Sequence, residues 1–222
     1  MKWPVTTLLA ALGLTACAMN QPGTGSALAQ PEMGQPVATQ AVSLETQAMP
    51  TMRTESGGFD QTLSLQGISF HVSSANSGSR NLVRIEPHGL EGDNTVIEKH
   101  VEGSVTGAEV ADLNEDGSPE IYVYATSAGS GFHVSLIGYG ANKRKSLSEI
   151  YLPSLQDDPR TSTGYMGHDE FRVAGNTLVH RFPVNREVDT NAKPTGGIRQ
   201  VQYHLLAGEA GWVLKPNKVL NF

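Results

Sequence analysis

Hydrophobic and polar residues alternate in short segments over most of the chain beyond residue 58, with the two-residue period of a β-strand. The clearest case is Glu120–Thr126, where three aliphatic residues alternate with two tyrosines and a threonine. A second alternating segment, His133–Tyr139, follows the Gly/Ser-rich loop Ser127–Phe132. This loop is too long and too rich in glycine for a two-residue hairpin turn. The pattern predicts two strands joined by a loop that is either an ordinary solvated connection or an element that enters another molecule's cleft.

Turn-forming residues separate twelve alternating segments, and none of them sustains a helical apolar stripe. The predicted strands are Thr62–Leu65, Ile68–Ser73, Leu82–Ile85, Val96–Val101, Val105–Val110, Glu120–Thr126, His133–Tyr139, Ser148–Leu152, Glu170–Val173, Leu178–Val184, Ile198–Leu206 and Trp212–Leu214. Many short strands with glycine-rich turns are typical of antiparallel all-β folds. We therefore expect residues 59–222 to form a single all-β domain, an antiparallel β-sandwich or flattened barrel. The histidines His71, His180 and His204 are interpreted as exposed strand residues.

The first residues have the composition of a targeting signal. Lys2 precedes the apolar run Val5–Leu14, and small residues then lead to Cys17. This order resembles a bacterial lipobox, in which cleavage leaves a lipidated cysteine at the N-terminus; a plain secretory signal cut later is the alternative. We predict a signal peptide over residues 1–16, a lipid on Cys17, and a disordered linker over residues 17–58, which are rich in Gln, Pro, Ala, Thr and Ser.

Charge and cysteine content narrow the class of protein. The net charge is −6, and the chain has one short basic run, Lys143–Lys145, so nucleic acid is not an expected partner. Cys17 is the only cysteine, so the domain has no internal disulfide. We expect an exported protein, lipid-anchored in the cell envelope.

Ala18, in place of an aspartate after the lipid cysteine, resembles the sorting signal of outer-membrane lipoproteins and predicts an outer-membrane location facing the periplasm.

The segment from Asp112 to Glu120 is a candidate calcium loop. Side-chain oxygens stand at alternate positions, a glycine follows, and a further carboxylate ends the segment. Such oxygens can converge on one hard cation. The spacing excludes an EF-hand, which would need a glutamate where Val123 stands. The candidate ligands are Asp112, Asn114, Asp116 and Glu120, and the alternative is an Asp/Asn/Gly turn that leads into a strand. No cofactor is required by the sequence.

A second polar cluster, His168, Asp169 and Glu170, contains residue types that serve acid/base chemistry. Adjacent strand residues point to opposite faces, so these three would converge only at a bend. A hydrolase using them is the third functional hypothesis, and we expect a protein that is not an enzyme. The second functional hypothesis is a calcium-stabilised exported β-domain that binds a glycan or an envelope protein.

The first functional hypothesis comes from a family resemblance carried by six motifs in order. They are VTGAEVADLNEDGSPEIYVY at Val105–Tyr124, SAGSG at Ser127–Gly131, KSLSEIYLP at Lys145–Pro153, GYMGHDEF at Gly164–Phe171, NAKPTGG at Asn191–Gly197 and AGEAGWVL at Ala207–Leu214. With these motifs, the chain from about Leu63 to its last residue resembles the periplasmic inhibitors of invertebrate-type (I-type) lysozyme from Gram-negative bacteria.

The resemblance implies a β-sandwich whose loop occludes the substrate cleft of an I-type lysozyme. The sequence does not decide between a monomer and a homodimer. The family's loop has a Ser-Gly-x-Tyr pattern, which aligns with Ser130, Gly131, Phe132 and His133, so a histidine stands where tyrosine is expected. The implied inhibitory loop therefore comprises Ser127, Gly129, Ser130, Gly131, Phe132 and His133. Since a lysozyme cleft presents a pair of carboxyl groups, the serine hydroxyl and an imidazole N–H are expected to donate hydrogen bonds to them.

Overall fold

The computed structural model describes residues 57–129 and 131–222. The signal peptide, Cys17, almost all of the linker and Ser130 lie outside these described residues. Within these two ranges the chain forms twelve strands: β1 Phe59–Leu65, β2 Ile68–Ser74, β3 Arg80–His88, β4 Ile97–Glu102, β5 Ser104–Ala111, β6 Glu120–Thr126, β7 Val134–Asn142, β8 Ser146–Tyr151, β9 Glu170–Ala174, β10 Thr177–Pro183, β11 Ile198–Ala207 and β12 Trp212–Asn221. Between β8 and β9 lie a 3-10 turn over Leu155–Asp157 and a single short helix, α1, over Pro159–Ser162.

All twelve predicted strands are present, and β12 differs most in length. It continues seven residues past the predicted end at Leu214, through Pro216. Proline cannot donate a hydrogen bond to a neighbouring strand and normally lies at a bulge or an edge. Here the register of β11 and β12 shifts between Gln202 and Tyr203, and Pro216 pairs with Tyr203 at that irregularity. The bulge allows the strand to continue where the sequence pattern indicated a break.

The strands form two sheets. One has the order β1-β2-β3-β4, and the other has eight strands in the order β5-β6-β7-β8-β12-β11-β10-β9. The larger sheet curls into a nearly closed barrel. At its opening, the Glu109 carboxylate on β5 accepts hydrogen bonds from the backbone N–H of Val173 on β9 (2.8 Å) and from the Tyr124 hydroxyl. The prediction of an all-β sandwich or flattened barrel is confirmed; the β8–β12 pair is parallel, whereas the other pairs are antiparallel.

Strand β6 separates two hydrophobic cores, and both of its faces are buried. Its aliphatic face, with Ile121 and Val123, belongs to the core beneath the four-stranded sheet. Its aromatic face, with Tyr122 and Tyr124, belongs to the core inside the barrel. Burying such side chains contributes about 1.5–3 kcal/mol each. The two alternating faces of β6 therefore hold the sheets together and fix the position of the loop that follows at its C-terminal end.

Candidate functional site

The loop Ser127–His133 connects β6 to β7 and is closed at its base. The backbone N–H of Ser127 donates to the carbonyl of His133 (2.9 Å), and the N–H of His133 donates to Oγ of Ser127 (3.1 Å). The first bond continues the backbone ladder of the hairpin by one residue pair, and the second adds a side-chain contact to it. The loop therefore projects from a fixed origin at the ends of two strands.

A second loop, residues 163–169 between α1 and β9, packs against the first. The carbonyl of Phe132 accepts hydrogen bonds from the N–H groups of His168 (2.7 Å) and Asp169 (3.3 Å). The contact needs glycine on both sides. A Cβ at Gly131 would lie 2.8 Å from the Met166 carbonyl oxygen, and one at Gly167 would lie 2.6 Å from that of Gly131. Gly167 also has φ +92°, a conformation that disfavours other residues. The two loops form one unit.

Asp169 is the buried centre of this unit. Its side chain is 1% exposed. One carboxylate oxygen, Oδ2, accepts from the Tyr165 hydroxyl (2.7 Å) and from the backbone N–H of Val134 at the start of β7 (3.0 Å). The other, Oδ1, lies 2.8 Å from Nε2 of His180 on β10. Asp169 thus joins three separate segments of the chain, and a buried carboxylate with several donors is strongly held.

The interpretation of His180 as an exposed strand residue is wrong. The residue is 3% exposed, and its ring stacks on Phe171 with a centroid distance of 4.0 Å. Its strand, β10, lies between β9 and β11 inside the barrel wall, and His180 points inward to Asp169. The sequence shows a histidine in an alternating segment but not which face the barrel buries. His180 is therefore part of the support of the loop.

His133 and Tyr165 connect Asp169 to the surface. Nδ1 of His133 lies 3.0 Å from the Tyr165 hydroxyl, while the His133 side chain is 57% exposed. Burial and the hydrogen bond to Asp169 raise the pKa of the Tyr165 hydroxyl well above its usual value, so this group keeps its proton at neutral pH. A hydrogen-bonded path therefore runs from the exposed imidazole through a phenol to a buried carboxylate.

An open groove of about 500 Å³ lies along the two loops. Its lining residues are Ser127, Ala128, Gly129, Gly131, His133, Gln156, Tyr165, Met166 and Asn191. Phe132 and Met166 expose about half of their surface, 52% and 49%. Exposed large apolar side chains beside hydrogen-bonding groups are characteristic of a contact surface for another molecule.

The three residues proposed for a hydrolase lie in different surroundings. His168 has φ +59° and packs its ring edge-on against Phe132, at a centroid distance of 5.8 Å. Asp169 is buried, and Glu170 begins β9, where it pairs with Arg181. Across residues 57–129 and 131–222, no group of three or more His, Cys, Asp or Glu side chains is arranged to hold a metal ion. Of the three, Asp169 is the one whose side chain links segments of the described chain, and the hydrolase hypothesis stays untested.

The candidate calcium loop is held by its own hydrogen bonds. The Asp112 carboxylate accepts from the backbone N–H groups of Asp116 (3.0 Å) and Gly117 (2.9 Å), and Asp116 accepts from that of Ser118 (2.8 Å). Glu120 is 1% exposed and accepts from the N–H of Leu113 (2.8 Å). Burial, with the nearby charges of Asp112 and Asp116, raises the pKa of Glu120 to about 8. These contacts describe a hydrogen-bonded turn, and calcium binding stays a prediction.

In the part of the sequence that the structure describes, no helix has the length and hydrophobicity needed to cross a membrane. Comparisons of the chain with family models, with curated proteins and with solved structures found no match. The site is therefore interpreted from its own geometry and from the sequence motifs.

Proposed function

We propose that this protein inhibits an I-type lysozyme by inserting the Ser127–His133 loop into the enzyme's substrate cleft, while a lipid on Cys17 anchors it in the cell envelope. The six ordered motifs that resemble the lysozyme-inhibitor family suggest the target. The observation that carries the proposal is the loop itself, which exposes Phe132 and His133. Asp169 supports its base by accepting hydrogen bonds from the Val134 N–H at the start of β7 and from the Tyr165 hydroxyl of the second loop.

The construction of the loop supports insertion into a cleft. Its base is closed by two hydrogen bonds, and the carbonyl of Phe132 is fixed by two more. A loop held in one conformation loses little freedom when it binds, so more of its contact energy appears as affinity. The exposed Phe132 side chain offers apolar area at the same tip.

The chemistry of the tip is compatible with a glycosidase cleft. Such clefts contain two carboxyl groups that flank the scissile bond. Ser130, at the position of the family's loop serine, would supply a hydroxyl donor, and His133 supplies an imidazole at the position of the family's tyrosine. We expect the pair to occupy the space in which the sugar chain would be cleaved.

Inhibition of a purified I-type lysozyme tests the proposal. Ser130→Ala and His133→Ala should each weaken inhibition by about thirtyfold, which corresponds to a hot-spot contribution of about 2 kcal/mol. His133→Ala should keep the melting temperature of the wild type because the His133 side chain is 57% exposed, and we expect the same of Ser130→Ala.

Matched controls are Ser135→Ala on β7 and His88→Ala at the end of β3, both exposed positions outside the loop, and these should inhibit like the wild type. The protein itself should release no fragments from peptidoglycan. Full inhibition by both loop variants would contradict the proposal, and so would a wild type that has no effect on the enzyme.

A further inference from the structure

The hydrogen bonds from His133 to Asp169 determine which nitrogen of His133 carries a proton. The Tyr165 hydroxyl lies 2.7 Å from Oδ2 of Asp169 and 3.0 Å from Nδ1 of His133. A phenol has one proton to donate, and a carboxylate oxygen only accepts. The same Oδ2 already accepts from the Val134 N–H. The Tyr165 proton therefore points to Asp169, and the phenol oxygen accepts a hydrogen bond from Nδ1–H of His133.

The other nitrogen of this imidazole is the one offered to a partner. The His133 side chain is 57% exposed, and over residues 57–129 and 131–222 no hydrogen bond reaches its Nε2. A Cβ at Gly167 would lie 3.0 Å from Cε1 of His133, so the second loop closely contacts this edge of the ring. In its neutral form, His133 then presents a lone pair at Nε2, which accepts hydrogen bonds and cannot donate one.

Few titratable groups face His133. From the loop of residues 163–169 these are Tyr165 and Asp169, the latter 3.8 Å from Nδ1. One contact further away are His168, which packs on Phe132, and His180, which pairs with Asp169. The groove also contains Gln156 and Asn191, which carry no charge. A charge on the His133 ring would therefore interact with Asp169 inside the protein and, at the exposed Nε2, with the partner molecule.

We infer that Tyr165 and Asp169 are positioning residues that hold neutral His133 with its proton on Nδ1, so that Nε2 meets a carboxyl group of the bound enzyme only when one proton is shared between them. This inference rests on the proposed inhibition of lysozyme, whose cleft supplies the carboxyl group. Without that proton, a lone pair would face a carboxylate and repel it. With it, the contact is a charge-assisted hydrogen bond.

Nitrogen NMR of the free protein tests the positioning without any lysozyme. At pH 8.5, long-range nitrogen–proton spectra distinguish a protonated ring nitrogen from an unprotonated one, and the His133 signals are those absent from His133→Tyr. We expect the wild type to carry its proton on Nδ1. In Tyr165→Phe, which lacks the hydroxyl, the Nε2–H form should become substantially populated. Tyr151→Phe, an exposed tyrosine on β8, is the matched control and should leave the spectrum unchanged.

Inhibition constants between pH 6 and 8.5 test the shared proton. Beyond the pKa values of both groups, loss of one proton weakens such a contact by about tenfold for each pH unit. Relative to His133→Tyr, which reports the enzyme's own pH trend, the wild type should lose about tenfold in affinity between pH 7 and 8. Tyr165→Phe should show less than about half of this slope on a logarithmic scale, because its imidazole can donate from Nε2 without taking up a proton.

The possible failures are distinguishable. A wild-type His133 with its proton on Nε2 at pH 8.5 overturns the inference, whatever the inhibition assay shows. This spectrum does not require Tyr165→Phe, so the test stands even if that variant fails to fold. Parallel pH profiles for the wild type and His133→Tyr also overturn it. Absence of inhibition by the wild type at every pH, with the Nδ1–H form intact, refutes the proposed function and the shared proton together.

Discussion

Two buried carboxyl groups organise the two polar loops of this protein, and they do so differently. Glu120 begins β6, and Asp169 immediately precedes β9. Glu120 is 1% exposed, as is the side chain of Asp169. The Glu120 carboxyl group accepts a hydrogen bond from the backbone N–H of Leu113, seven residues earlier in the chain, and burial raises its pKa to about 8. Asp169 has three partners, Tyr165, Val134 and His180.

The difference lies in where the hydrogen-bond donors come from. The acidic loop surrounds Glu120 with the carboxylates Asp112 and Asp116, which add to the effect of burial and favour the protonated acid. At Asp169 the barrel brings donors from β7 and β10, which lie 35 and 11 residues away in sequence. The neighbours of Glu120 belong to its own loop, so Glu120 does not connect distant parts of the chain. The donors to Asp169 come from other strands, so Asp169 links separate segments. The second arrangement is the one that positions an exposed loop.

The largest effect that this comparison predicts is on the stability of Asp169→Asn. The asparagine keeps the shape of the side chain, but its NH₂ group faces donor groups whose hydrogen bonds the carboxylate accepts. Hydrogen bonds to charged groups are worth about 1.5–3 kcal/mol each. We expect the free energy of unfolding at pH 7 to fall by about 3 kcal/mol, measured by urea denaturation. The exposed Asp157 gives the matched control, Asp157→Asn, with a change within about 0.5 kcal/mol. An Asp169→Asn variant as stable as the control would remove Asp169 from the centre of the site.

A smaller effect is expected from the titration of Glu120. Its pKa is about 8 in the folded protein and 4.5 as the ordinary value, so between these pH values the folded state keeps a proton that the unfolded state has lost. The stability that this proton supports is fully present below pH 4.5 and is lost as pH rises through 8. The loss is about 1.4 kcal/mol for each pH unit in between.

Glu120→Gln should remove this slope because the amide is neutral at every pH. We expect urea denaturation at pH 5.5, 6.5 and 7.5 to show that the unfolding free energy of the variant, relative to that of the wild type, rises by about 1.4 kcal/mol for each pH unit. Glu115→Gln, on the exposed part of the same loop, should follow the wild type. If the Glu120→Gln and wild-type curves stay parallel, Glu120 is ionised in the folded protein and the contrast with Asp169 disappears.

The sequence predicted the strands because their signal is local. A two-residue alternation is visible within Glu120–Thr126 alone, and each of the other eleven strands was found in the same way. Alternation does not show how a curled sheet buries both faces of a strand, which is why His180 was placed at the surface. It also does not show that residues 127–133 and 163–169 touch. That contact depends on close approach at Gly131 and Gly167 and on a barrel that brings β7 beside β9.

The smallest expected effect is that of calcium on the acidic loop, and the charge state of Glu120 determines how this effect depends on pH. The predicted ligands are Asp112, Asn114, Asp116 and Glu120, but Glu120 keeps its proton below about pH 8, and only an ionised carboxylate is a good ligand for calcium. Binding through Glu120 would therefore release a proton. Addition of 1 mM calcium, an order-of-magnitude choice for weak sites, should leave the melting temperature unchanged at pH 6.5 and raise it at pH 8.5. A ligand that binds only the folded state stabilises it by mass action, and Asp116→Asn should abolish the rise. A melting temperature insensitive to calcium at both pH values would leave the hydrogen-bonded turn as the whole role of the loop.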